Sequence, residues 1–88
     1  MARNYQYSKL MLENKKFVFV KIDGKEYSTR NIIDRMFDDL SKHFTNELVV
    51  LTLTDNLGNA YWFIGPEEFA PFQMQILGKS FDWKTISI

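Results

Sequence analysis

The chain has 88 residues, 45% of them hydrophobic and 16% aromatic, with eleven Lys/Arg balanced by eleven Asp/Glu. That size and composition describe one globular domain with a thin stability margin, outside the class of disordered chains. Zero net charge argues against a general nucleic-acid binder, and the absence of cysteine excludes disulfides and thiolate metal sites, leaving His43 as the single imidazole.

The charges are divided along the chain. Seven Lys/Arg stand against three Asp/Glu through Arg30, and four against eight thereafter, a split of +4 and −4. The segment from Met1 to Tyr7 lacks the apolar run of a signal peptide, and no stretch approaches the roughly 18 apolar residues of a membrane span. A cytoplasmic location is the expectation.

Tyr5 to Leu12 reads as a strand, with Tyr5, Tyr7, Lys9 and Met11 on one face and Gln6, Ser8, Leu10 and Leu12 on the other. A short helix from Ser8 to Lys15 competes, but Glu13-Asn14-Lys15-Lys16 looks like a polar reversal before another strand. Phe17-Val18-Phe19-Val20-Lys21-Ile22 is rich in aromatic and β-branched residues and meets Asp23-Gly24, a pair that tolerates the positive φ angles of a tight hairpin turn. Lys25-Glu26-Tyr27 is then the expected returning strand.

Ser28 or Thr29 can cap the next element, because a hydroxyl accepts a bond from an otherwise unpaired N–H of the first helical turn. Ile32, Ile33, Met36, Phe37, Leu40 and Phe44 recur at three- and four-residue spacing, which predicts an amphipathic helix from Thr29 to Phe44. Thr45-Asn46-Glu47 ends it, with Asn46 a candidate left-handed residue.

Leu48-Val49-Val50-Leu51-Thr52-Leu53-Thr54 begins as a continuous apolar run, as expected of a central strand buried on both faces. Asp55 to Asn59 has turn composition, and Ala60-Tyr61-Trp62-Phe63-Ile64 pairs back as a second hairpin. Gly65-Pro66-Glu67-Glu68 reads as a helix start. Pro71 would interrupt a single helix begun there, which predicts one turn over Glu67 to Ala70 and a short helix from Pro71 to Leu77, closed by Gly78. Alternation from Phe81 to Ile88 predicts a final half-buried strand. The order β-β-β-α-β-β-α-β predicts a single α+β domain over residues 1–88. It has one mostly antiparallel sheet, with the long helix and the short C-terminal helix packed on one face.

Catalytic chemistry finds few candidates. His43 sits near a helix C-terminus, where an imidazole suits the dipole without any further role. Asp34 and Asp38 stand one helical turn apart with Asp39 beside them, opposite the apolar stripe, which a solvated face already explains. Gly24, Gly58, Gly65 and Gly78 are isolated at turns and form no phosphate cradle. Neither an enzyme nor a cofactor or metal is expected.

Two surface patterns remain. Tyr61, Trp62, Phe63, Phe69, Phe72, Met74, Phe81 and Trp83 supply more aromatic surface than one strand face can hide. They are either core beneath a Phe69 to Leu77 lid or a patch for another chain. The leading reading is a non-enzymatic protein-binding module, a small regulator or inhibitor that occludes a surface of a larger macromolecule or self-associates as a homo-oligomer. Tyr61, Trp62 and Trp83 are its apolar anchors, and Asp34, Asp38 and Asp39 its polar contacts. The alternative is RNA or single-stranded DNA binding through Arg3, Tyr5, Tyr7, Lys9, Lys15 and Lys16, where rings would stack bases beside phosphate-binding cations.

Overall fold

Strands form where the chain carries its β-branched and aromatic runs, and helices where the apolar period lengthens to 3.6. The computed structural model describes residues 4–24 and 30–87. In order these form β1 (Asn4–Leu12), β2 (Lys15–Ile22), α1 (Arg30–His43), β3 (Leu48–Thr54), β4 (Ala60–Ile64), a 3-10 segment (Glu67–Phe72), α2 (Gln73–Ile76) and β5 (Lys84–Ser87). The strands make one sheet in the order β4-β3-β2-β1-β5. Every neighbouring pair is antiparallel except β2 and β3, which run parallel with Phe17 opposite Leu48 and Ile22 opposite Leu53. A parallel pair needs a crossover, and α1 lies within it. The result is the expected single α+β domain.

The first hairpin turns within the polar Glu13-Asn14-Lys15-Lys16 stretch, where a reversal is expected. β1 and β2 pair from Tyr7 opposite Val20 to Leu12 opposite Lys15, so Glu13-Asn14 is a two-residue loop. Both of its residues have positive φ, 48° and 68°, the signature of a type I′ turn. Neither Asp23 nor Gly24 has the positive φ of a tight hairpin turn, and Gly24 is already helical, which corrects the expectation of a hairpin turn at this pair. Lys25, Glu26 and Tyr27, and the caps Ser28 and Thr29, lie outside the described residues.

The two faces of the sheet have separate covers, which corrects the expectation of both helices on one face. Val18, Val20 and Ile22 of β2 join Val49, Leu51 and Leu53 of β3 beneath Ile33, Met36, Leu40 and Phe44. The alternate residues Phe17, Phe19 and Val50 pack instead against Phe63, Phe69, Phe72 and Ile76. The run Phe17 to Val20 is fully buried because both of its faces are covered. β2 is the central strand and β3 lies beside it, interior to the sheet.

Aromatic edges knit the second core together. Phe19 meets Phe63 at 6.0 Å, Phe69 at 5.5 Å and Phe81 at 4.8 Å between ring centroids. The 3-10 segment runs through Pro71 as far as Phe72, one residue beyond the proline at which a break is predicted. Gly78 then closes α2 with φ of +82°. At the end of α1, Asn46 is not left-handed; the Phe44 N–H bonds the Leu40 carbonyl at 2.8 Å and the Glu47 N–H bonds the Phe44 carbonyl at 3.2 Å. Lys9 then anchors this corner to β1 through Glu47 at 3.2 Å. Among the described residues no helix is long and apolar enough to cross a membrane.

A glutamate held at positive φ is strained, and Asn-Gly is the pair that a type I′ turn prefers. Replacing Glu13 by Asn together with Asn14 by Gly should stabilise the protein by about 1 kcal/mol. Urea unfolding measures this directly. A lower midpoint at an unchanged slope would contradict the turn assignment.

Candidate protein-docking surface

β4 is the outer strand of the sheet, and its sequence from Ala60 to Ile64 carries no charge. Its pairing with β3 runs Leu51 to Ile64, Thr52 to Phe63 and Leu53 to Trp62, then shifts so that Thr54 meets Ala60. Tyr61 is therefore the extra residue of a bulge. Ala60 and Phe63 are buried while Tyr61 and Trp62 are 52% and 46% exposed. Strict alternation predicts one of these two rings on each face; the bulge leaves both at the surface of the edge instead.

Neighbouring segments add to this apolar band. The Ala60 N–H donates to the Lys79 carbonyl at 3.1 Å and the Gly78 N–H donates to the Ala60 carbonyl at 2.6 Å, while Asn59 bridges to Ser80. Those bonds hold Leu77, 44% exposed, alongside the start of β4, and the β3-β4 turn presents Leu57 at 83%. With about half of each ring accessible, the four side chains together expose apolar area on the order of 300–400 Å² around this edge. Apolar area of that order falls at the lower end of the largest patch on a typical monomer, which is often functional.

Trp83 has a different role from the one expected of it. It is half-buried, with its ring 5.3 Å from Phe81, its Nε1–H donating to the Gly58 carbonyl at 3.3 Å, and the Lys21 ammonium 6.0 Å above it. It clamps the chain that crosses the second face to the β3-β4 turn. Asp34, Asp38 and Asp39 are exposed on the outer side of α1, with Asp38 paired to Lys42 at 3.3 Å. They lie on a different element from Tyr61 and Trp62 and form no single constellation with them. Leu57 lies in the β3-β4 turn itself, while Leu77 escapes a sequence reading, because the bonds of Ala60 with Gly78 and Lys79 bring it alongside β4.

The nucleic-acid set is not assembled as one surface. Tyr5 is buried in the core under α1, Tyr7 packs on Phe44 at 5.6 Å between centroids, and Lys9 is tied to Glu47. Lys15 and Lys16 are exposed at the β1-β2 hairpin, and Arg3 lies outside the described residues. Two clefts of about 320 and 280 Å³ open along β1. Lys9, Met11, Lys16 and Glu47 line the first; Tyr7, Ser8, Asp82 and Lys84 line the second. Among the described residues no three His, Asp or Glu side chains converge as metal ligands would. The chain matches no family model, no curated protein and no solved structure.

The turn beneath the band is held by one carboxylate. Asp55 Oδ1 accepts from the backbone N–H groups of Leu57 and Asn59, both at 2.9 Å. These bonds, the one from Asn59 foremost, hold its pKa below the ordinary aspartate value. Because the folded pKa is depressed, the turn's stabilisation is present above the unfolded value and is lost as pH falls through the folded one. An NMR titration of the Asp55 carboxyl should therefore give a midpoint under 3.8; a midpoint at or above it would mean that the two bonds do not form in solution.

Proposed function

We propose that this protein is a non-enzymatic protein-binding module that docks another polypeptide on the apolar band of β4. The observation that carries the reading is the pair of adjacent, half-exposed rings, Tyr61 and Trp62, on an uncharged edge strand. Tyr and Trp dominate the energetic centres of protein interfaces because they bring large apolar area at low conformational cost. An open strand edge adds backbone donors and acceptors that another chain can pair. Leu57 and Leu77 extend the apolar centre, and Glu67, Glu68 and Lys79 supply a polar rim. Such a module acts by occupying a surface, as a small regulator or inhibitor does, and a cysteine-free chain suits the reducing cytoplasm. Base-stacking is the weaker reading, since Tyr5 and Tyr7 are engaged in packing under α1.

Replacing Trp62 by Ala tests this. Partner capture should fall roughly tenfold or more, as for an interface anchor, while thermal unfolding moves little. Capture of the same proteins with undiminished affinity, or global unfolding of the variant, would defeat the reading.

A further inference from the structure

The polypeptide that the β4 edge fits is identified by the geometry of that edge. The Asp55 N–H donates to the Asn59 carbonyl, so the alternation of an antiparallel ladder makes Thr54 and Ala60 a pair whose backbone groups point away from each other. The outward groups of Ala60 are indeed taken, by Gly78 and Lys79. Carrying the alternation through the bulge at Tyr61 makes Thr52 and Phe63 the next such pair. The amide and carbonyl of Phe63 therefore face outward from the sheet, and among the described residues no backbone group outside the strands pairs with them.

We infer that the occupant is a second copy of this chain, joined by antiparallel β4-to-β4 pairing about a two-fold axis at Phe63. The inference rests on the docking reading and names its partner. Three observations select a second copy. The free edge runs from Tyr61 to Gly65, and Phe63 is its midpoint, so a two-fold axis there pairs the Phe63 of each copy through both N–H···O bonds. Trp62 then lies across from Ile64 of the other copy, an aromatic and β-branched cross-strand pair on the α1 side of the sheet.

The second observation is charge. A two-fold axis sets identical residues near one another, and residues 60–66 contain none that would repel. The opposite edge, β5, is a four-residue strand carrying Lys84, the kind of short, charged edge that resists pairing. Growth would stop at a closed dimer with a ten-stranded sheet, twice the five of one copy.

The third is area. The exposed apolar surface, on the order of 300–400 Å², makes up nearly half of the ~800 Å² that each side of a standard interface buries. Strand backbone and the flanking polar residues supply the remainder.

Sedimentation over a dilution series, combined with amide exchange, tests the pairing. Concentrated protein should show twice the 10.5 kDa chain mass, and the Phe63 amide should exchange at least tenfold more slowly there than in dilute protein. Trp62→Lys should shift dimerisation to roughly tenfold higher concentration and restore fast exchange at Phe63. Tyr61→Lys should do the same, and an unchanged melting curve in dilute protein shows that either variant is folded. A monomer at every concentration, or a dimer in which Phe63 exchanges freely, would overturn the self-pairing. Capture of a different protein that Trp62→Ala abolishes would in that case still uphold the docking reading, so the two fail separately.

Discussion

The parallel pairing of β2 with β3 is the constraint on which the remaining structure depends. Six register pairs, from Phe17 with Leu48 to Ile22 with Leu53, put two apolar strands side by side at the centre of the sheet. Neither strand presents a face to solvent, because Phe17 to Val20 of β2 and Val50, Leu51 and Thr52 of β3 are all inaccessible. Two covers are then required, one on each side, since an exposed face of Phe and Val costs roughly 1.5–3 kcal/mol per side chain. α1 meets the first need within the crossover itself. Residues 67–83 meet the second by folding back beneath Phe17 and Phe19.

Those two covers determine what is left for function. The C-terminal segment reaches the outer edge of the sheet at Ala60, where Gly78 and Lys79 take up its backbone groups, and then crosses under the sheet towards β5. Beyond Ala60, no described residue outside the strands pairs its backbone with the β4 edge. The bulge at Tyr61 leaves two large rings at that edge without removing Phe63 and Ala60 from the core. The exposed edge is thus a by-product of how the second face is closed.

Much of this is legible in the residues and some is not. The apolar stripe of α1, the run of β3 and the return through Ala60-Tyr61-Trp62-Phe63-Ile64 are local patterns, and each forms where its period predicts. The reversal at Glu13-Asn14 shows in its polar composition, whereas Asp23-Gly24 permits positive φ without requiring it and does not adopt it. Pairing partners are tertiary facts: nothing local in Phe17 to Ile22 says that its second neighbour is β3 and parallel. The opposed covers leave a trace, since an unbroken Phe-Val-Phe-Val run needs apolar neighbours on both sides. For the site, Tyr61 and Trp62 are visible as surplus aromatics. Trp83 is indistinguishable from them by composition, and only its Nε1 bond to Gly58 sets it apart. Leu77 becomes relevant only through contacts distant in sequence.

Trp62 lies on an accessible edge while Trp83 is half-buried against the second core, and fluorescence quenching separates the two rings. In a Trp83→Phe protein, Trp62 is the sole tryptophan. Emission from dilute protein should be reduced efficiently by a neutral quencher such as acrylamide, and should shift to shorter wavelength and become protected when the edge is occupied. Emission shielded from the quencher in dilute monomer would place Trp62 in the core and contradict the account.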